Sequence, residues 1–399
     1  MEIIRGPASA LYGSDGMAGL VNFITHDPAD FLKDGKSIGG RATIGYSGDD
    51  KGWNTGATVA GRADDVSSWL LSANASRAEG LDNMGTNNAE NVDRTTPNPQ
   101  KDRNAALLGK LVIQPGGGQK HVLTLEHVQK RSDVTGLSAL AKPPYASTST
   151  RAFESFQDMN RNRASWNAHY QLDAAAADTL QTALSYQAAD SRDYRFEKRN
   201  AASDRVRDTT YDEKSLQANI QAAKTLRMGT DWLQKLTYGV DYTRTKVKTL
   251  QTGLTPAAGE AFPLKRFPDT TETSAAVYIQ NEIVGEHWIV TPGVRYDQFK
   301  LDASQKGYAS SIPAASLSDS AVSPKLGVLF RATPEWSIFG NYAAGFKAPD
   351  ASQVNSYRES GSFPFYKTIP NPNLRPEKSQ NFEVGLRGRT GGLSLDAAI

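Results

Sequence analysis

The chain has 399 residues, a formal net charge of +2 and no cysteine. A charge so close to zero provides no basic surface for nucleic acid, and the lack of cysteine excludes a disulfide framework and a thiolate metal site. No run of apolar residues approaches the roughly 18 that a membrane-spanning helix needs, which excludes a helical membrane protein but not a membrane β-barrel.

Residues 2–25 predict a compact unit that differs from the rest of the chain. A short apolar strand is followed by the turn Gly6-Pro7, one brief helical turn, a glycine-rich turn and a second apolar strand. The chain after about Ser37 favours long amphipathic strands instead. This order suggests a small domain that lies in or beside a large sheet.

A hydrophobic period of two then predicts roughly 15 strands of about 8–14 residues, the length of tilted membrane strands. For example, Leu236, Tyr238, Val240 and Tyr242 alternate with small or polar residues. The expected strands are 40–47, 55–62, 67–77, 105–113, 120–130, 164–172, 179–188, 215–225, 235–249, 272–284, 288–301, 323–331, 336–344, 381–387 and 393–399.

The connections between these strands alternate in length. Short ones such as 114–119 and 285–287 alternate with long polar ones such as 131–163 and 345–380. An up-and-down barrel with short turns at one rim and long loops at the other has this pattern. We therefore predict an all-β fold, an antiparallel transmembrane β-barrel.

The first unit resembles the last part of the plug domain of TonB-dependent outer-membrane receptors. The resemblance is carried by Ile4-Arg5-Gly6-Pro7, Ser9, Leu11-Tyr12-Gly13 and Gly19-Leu20-Val21-Asn22. One departure is Ala18, where the family usually has a second glycine, and alanine fits there if its φ is negative. The residues of this plug motif are Arg5, Gly6, Pro7, Leu11, Tyr12, Gly13 and Gly19.

Two later stretches resemble sequence boxes of the heme and hemoglobin branch of these receptors, although siderophore receptors carry relatives of both. The first box is Phe346-Lys347-Ala348-Pro349, within the stretch that begins at Tyr342. The second is Asn371-Pro372-Asn373-Leu374. The resemblance implies a receptor that takes up heme from heme or hemoglobin across the bacterial outer membrane. The alternatives are a ferric-siderophore receptor of the same fold and, less favoured, an open porin-like channel.

The resemblance also implies a domain organisation and a set of partners. We expect the end of a plug domain over residues 1–30 and an incomplete barrel over residues 31–399, with 15 of about 22 strands. Both ends look truncated, so most of the plug and the remaining strands are expected in a longer protein. The implied partners are the TonB–ExbB–ExbD complex, heme or hemoglobin, and outer-membrane lipid. No catalytic motif occurs, so we expect a transporter and not an enzyme.

The loop between the two boxes, residues 350–370, contains the candidates for heme binding. Family members usually offer a histidine here, but this loop has none. A tyrosine phenolate can ligate ferric heme, so Tyr357 or Tyr366 could replace it, with Arg358 and Lys367 pairing with propionates. The alternative is an aromatic loop that packs on itself or on a protein ligand. Heme is expected as a transported ligand, with no intrinsic cofactor and no metal site.

Charged residues suggest contacts between the plug and the barrel. Glu2 and Arg5 lie in the first unit, whereas Asp241, Glu282 and Arg295 are expected on strands. Ion pairs between the two groups are plausible, and a mechanism that pulls on the plug would need them to be breakable.

Overall fold

The structure, a computed structural model, describes residues 2–6, 8–33, 35–229, 231–308, 313–361, 363 and 365–399. It begins with an N-terminal unit, residues 2–24, that contains strand β1 (Glu2–Arg5), helical turn α1 (Ser9–Tyr12) and strand β2 (Gly19–Asn22). β1 and β2 pair antiparallel as a sheet of their own. The predicted order of strand, turn, helical turn, turn and strand is therefore confirmed, while Pro7 lies outside the described residues.

A single antiparallel sheet of 15 strands makes up most of the chain, which confirms the predicted fold class and strand number. Each strand pairs with the next one along the chain, except that β15 pairs with β18 across the insertion 348–376. Among the described residues, β3 and β19 form the two edges, so the sheet is open. The strands are β3 Ile38–Ser47, β4 Gly52–Arg62, β5 Ser67–Glu79, β6 Gln100–Gly116, β7 Gln119–Thr135, β8 Thr150–Gln171, β9 Thr179–Arg199, β10 Arg205–Met228, β11 Trp232–Leu254, β12 Thr270–Val284, β13 Trp288–Ala303, β14 Leu317–Arg331, β15 Trp336–Lys347, β18 Glu377–Thr390 and β19 Leu393–Ala398.

Several strands are longer than the sequence predicts. β8, β9, β10 and β11 contain 22, 21, 24 and 23 residues, so the expectation of about 8–14 residues is wrong for them. The extra length lies on the side of the long loops, and the connection between β9 and β10 shrinks to residues 200–204. There both faces of a strand carry polar residues, so the backbone stays paired where the hydrophobic alternation has already ended.

The two faces of the sheet differ in chemistry. One cross-strand row on the outer face consists of Ile220, Val240, Val277, Tyr296 and Val322, which are paired in register and exposed. The residues between them in sequence point to the inner face, which is more polar. The outer face is therefore the apolar surface that a barrel presents to lipid.

No helix in the described parts of the chain is long and apolar enough to cross a membrane. The helices present are short. They are α1, α2 (Ala351–Asn355) and two 3-10 turns at Pro28–Asp30 and Leu137–Ala139. α2 lies in the insertion 348–376 together with the two-residue strands β16 (Glu359–Ser360) and β17 (Tyr366–Lys367).

Buried apolar residues form small clusters where the long loops and the linker meet the sheet. The largest cluster joins Phe299, Leu301 and Leu317 to Phe346 and Val354, at the end of the sheet that carries the long loops. A second cluster packs Leu32, from the linker after the N-terminal unit, against Ala60 and Leu70 on β4 and β5. Both clusters hold non-strand segments against the inner face.

Candidate functional site

The N-terminal unit binds directly to the first sequence box. The backbone N–H of Phe346 donates a hydrogen bond to the hydroxyl of Ser9 at 3.1 Å. The N–H of Asp15 donates to the carbonyl of Phe346 at 3.0 Å, and the N–H of Ala348 donates to the hydroxyl of Ser14 at 3.0 Å. Ser9 is fully buried. The N-terminal unit that carries the plug motif is therefore in direct contact with the Phe346–Pro349 box, although sequence analysis identified the two segments separately.

A buried charge cluster lies beneath this contact on the inner face. The Arg295 guanidinium donates to both carboxylate oxygens of Asp297 at 2.9 and 3.0 Å and also pairs with Asp241. Among the described groups of the N-terminal unit, the carbonyl of Leu11 accepts a hydrogen bond from this guanidinium at 3.3 Å. The expectation that Glu2 pairs with Arg295 is therefore wrong, because the described charges of Arg295, Asp241 and Asp297 satisfy each other within the sheet. Glu2 accepts a hydrogen bond from Asn22 of the same unit, and the side chain of Arg5 is outside the described part.

Gly13 lies against this cluster. Its φ is +78°, and a Cβ built there would lie 3.0 Å from an Arg295 nitrogen. Only glycine adopts this conformation without strain, and only glycine leaves space for the guanidinium. Ala18 does not have a positive φ, so the departure from the family pattern at that position is accommodated.

Two ion pairs attach the linker after the N-terminal unit to strands β6 and β7, and the sequence analysis did not predict them. Asp27 pairs with Lys110 of β6 at 2.9 Å and with Lys120 of β7 at 2.8 Å. Lys110, nearly buried, also donates to the carbonyl of His26 at 2.7 Å. Burial by itself raises the pKa of the Asp27 carboxyl, but hydrogen bonds and charge from Lys120 and Lys110 outweigh it, so the pKa lies below its usual 3.8.

A cavity of about 920 Å³ separates the N-terminal unit from the inner wall. Its lining is mixed, with Tyr12 and Gly13 on one side, Asp241 and Tyr278 on another, and the Phe346–Pro349 box above. Strands and motif residues from both ends of the sequence therefore face the same space.

The insertion between the two boxes folds back onto neighbouring loops. The side chain of Asn355, fully buried, accepts from the N–H of Ala315 and donates to its carbonyl, both at 2.7 Å. The N–H of Asn371, in the second box, donates to the carbonyl of Val354 at 2.8 Å. Leu374 packs against the largest apolar cluster, while Pro372 and Asn373 are exposed. The second box thus anchors the end of the insertion.

The heme-binding candidates lie in this insertion but in different environments. Tyr357 is only 6% exposed and packs with Leu264 and Tyr308 from other loops. Tyr366 is 46% exposed, next to Lys367 on β17. The N–H of Arg358 donates to the hydroxyl of Thr368 at 2.6 Å, which places Arg358 beside the same small hairpin. Arg358, Tyr366 and Lys367 are therefore exposed on the same small hairpin, whereas Tyr357 is buried, with the Lys367 ammonium 5.7 Å from the centroid of its ring.

Comparison with known proteins places the chain in a family. The family described as TonB dependent receptor-like, beta-barrel matches residues 123–399. The chain belongs to this family. Its members are receptors of the outer membrane and do not form an enzyme family, and the exposed apolar row of this receptor is the surface that its location requires.

Three similar proteins illustrate the range of the match. The hemin receptor of Yersinia pestis is 24% identical over 400 residues, covering 96% of this chain and 52% of that protein. The hemophore receptor HasR of Serratia marcescens, solved with its hemophore HasA and heme, has a TM-score of 0.69 at 16% identity, covering 98% of this chain and 57% of that chain. The siderophore receptor PiuA of Acinetobacter baumannii has a TM-score of 0.67 at 14% identity, covering 99% and 60%.

The matches cover only part of each relative. The chain spans about half the length of the curated relatives it matches. At such low identity the two solved structures show the fold alone, and one was described as a hemophore receptor and the other as a siderophore receptor.

Proposed function

We propose that the chain forms the barrel wall and the end of the plug of an outer-membrane receptor that takes up heme, free or from hemoglobin. TonB–ExbB–ExbD would supply the energy, and heme would be cargo, with no resident cofactor. Residues 1–30 would be the end of the plug and residues 31–399 the barrel part. Similarity to a hemin receptor along 96% of the chain supports this choice of cargo.

The observation that carries the proposal is the small hairpin of β16 and β17. It carries the exposed phenol of Tyr366 and the exposed side chain of Arg358, while the ammonium of Lys367 lies 5.7 Å from the ring centroid of Tyr357. A phenolate is a ligand for ferric heme iron, and cationic side chains pair with its propionates. The hairpin therefore offers iron and carboxylate partners on one accessible edge of the loops. Tyr357, which is buried, supports the hairpin from below in this proposal.

The N-terminal unit would be the part that moves during transport. It is held at the first box by three hydrogen bonds, of which two are accepted by the hydroxyls of Ser9 and Ser14 and one is donated by the N–H of Asp15. Each such bond contributes only about 0.5–1.5 kcal/mol, so a pulling force can release them one after another. The Arg295 cluster stays intact when they break, because its ion pairs lie within the wall.

The test is heme titration of the receptor purified from outer membranes, followed by the Soret band. Tyr366→Phe removes the phenolate oxygen and keeps the ring, so we expect a changed Soret band and weaker binding. Tyr145→Phe is the matched control, because Tyr145 is a similarly exposed loop tyrosine outside the insertion. If Tyr145→Phe weakens binding and Tyr366→Phe does not, the ligand assignment is wrong while heme uptake stands.

A ferric-siderophore receptor is the second candidate, because a siderophore receptor shares the fold at a TM-score of 0.67. The same purified protein, titrated with ferric siderophores, separates the two. Binding of a ferric siderophore together with no change in the Soret band on adding heme would reject the heme proposal.

A further inference from the structure

The outer face of β11 changes from apolar to cationic within a few residues. Exposed Tyr242 is followed on the same face by Arg244 and Lys246, which are both exposed. Val247 and Thr249, which point to the inner face, are 4% and 6% exposed. The alternation therefore places both cations outside the barrel wall, where neither plug nor cargo can reach them.

Lys214 on β10 completes a cationic cluster, defined here as Lys214, Arg244 and Lys246. Lys214 lies directly opposite Lys246 in the antiparallel register, and Leu216 lies opposite Arg244. Like charges directly opposite on one face of a sheet destabilise the pair of strands. The arrangement is therefore unfavourable unless something of opposite charge binds it.

In the part of the chain that the structure describes, the cationic cluster has no carboxylate partner. Among the residues that the structure describes, none forms an ion pair or hydrogen bond with the three cluster side chains. Arg192, another outer-face cation, is compensated differently, because its guanidinium donates two hydrogen bonds to Asp208 at 2.8 and 2.6 Å. Asp212, on the same outer face of β10, lies one row further out, between Lys248 of β11 and Asp190 of β9. The cluster thus keeps its positive charge.

The cluster lies at the boundary of the lipid-facing band. Tyr186, Tyr242 and Tyr296 are exposed on the outer face near the middle of their long strands, where the aromatic girdle of a membrane barrel would border the apolar band. Long loops such as 255–269 are on the side of the cluster, and long loops mark the extracellular rim. The neighbouring groups at this level are the headgroups of the outer leaflet.

We propose that the cationic cluster binds the phosphate groups of the glycolipid of the outer leaflet. Two lysines and one arginine can each donate charge-assisted hydrogen bonds to phosphate oxygens, and the aromatic row beneath them would contact the acyl chains. A phosphate between Lys214 and Lys246 turns their repulsion into attraction to a shared anion. The proposal depends on the outer-membrane location and is independent of the cargo.

The test measures binding of bisphosphorylated lipid A to the full-length receptor, purified from outer membranes and delipidated in detergent. We expect lipid A to raise the melting temperature, with an effect that weakens as salt increases. Lys246→Gln should weaken the affinity by about tenfold, and Lys214→Gln with Lys246→Gln by more, since one charge-assisted hydrogen bond has about that value. Lys130→Gln is the matched control, because Lys130 is exposed on the inner face of β7.

Folding of the variants has its own readout. Without lipid, the double variant should melt at the same temperature as the wild type or higher, because the repulsion is removed. Equal binding of lipid A from which both phosphates have been removed would overturn the proposal. So would unchanged affinity in the double variant, or the same rise in melting temperature with inorganic phosphate alone, which would indicate a free anion site. Heme binding, followed separately by the Soret band, should not change.

Discussion

The hydroxyl of Ser9 accepts a hydrogen bond from the backbone N–H of Phe346 across a separation of 337 residues. Both residues are buried, at 0% and 3% exposure. The bond joins the N-terminal unit to the first box at the start of the insertion that carries the heme-binding candidates. The N-terminal unit and the start of the insertion are therefore directly hydrogen-bonded to each other.

Removing this hydroxyl should loosen the N-terminal unit. Ser9→Ala leaves the buried N–H of Phe346 without its acceptor, and we expect a loss of about 1–3 kcal/mol in the free energy of unfolding. Urea unfolding of the purified receptor measures this loss. Ser318→Ala, at an exposed position on β14, is the control and should cost almost nothing. Equal stability of the two variants would contradict the assigned contact.

Two glycines with nearly the same positive φ help to separate backbone strain from crowding. Gly13 and Gly35 have φ of +78° and +75°, but only a Cβ at Gly13 would meet Arg295, while nothing lies within 4 Å at Gly35. Both alanine variants should lose about 1–3 kcal/mol from strain at positive φ. Gly13→Ala should lose clearly more, because the guanidinium must also shift. Thermal unfolding compares them, and equal losses would mean that the approach of Arg295 is not tight.

Acid should weaken attachment of the linker. The pKa of Asp27 is lowered in the folded protein, so its carboxylate stabilises the fold above the unfolded value near 3.8. This stabilisation is lost as the pH falls below that value and through the lowered folded pKa. We expect the stability difference between wild type and Asp27→Asn to be largest near pH 7 and to shrink below about pH 4. A difference that stays constant down to pH 2 would refute this role.

The buried side-chain amide of Asn355 should keep the insertion folded in one conformation. Asn355→Ala removes both hydrogen bonds to the backbone of Ala315 and leaves two buried groups unpaired, at a cost of about 2–4 kcal/mol. We expect faster proteolysis within residues 348–376 and little change in the strands. Asn200→Ala, at an exposed position in another loop, is the control. Unchanged proteolysis of the insertion would show that other contacts hold it.

Local pattern was sufficient for most of the fold. The period of two located all 15 strands of the sheet, because alternation between lipid and lumen is imposed on each strand separately. It misplaced the ends of β8 to β11, because hydrophobic alternation stops where both faces are polar, while hydrogen-bond pairing continues. Where both faces of a strand are polar, the sequence contains no alternation that would show how far strand pairing continues.

For the candidate site, the sequence by itself determined the motifs: the N-terminal unit, the two boxes and an insertion without histidine but with Tyr357 and Tyr366. Only the tertiary structure decided that Ser9 meets Phe346, that Asp27 bridges to Lys110, and that Tyr357 is buried while Tyr366 is exposed. These relationships depend on which strands the curvature of the sheet and the packing of its loops bring together. Such contacts join residues far apart in the chain, and no local pattern of side chains encodes them.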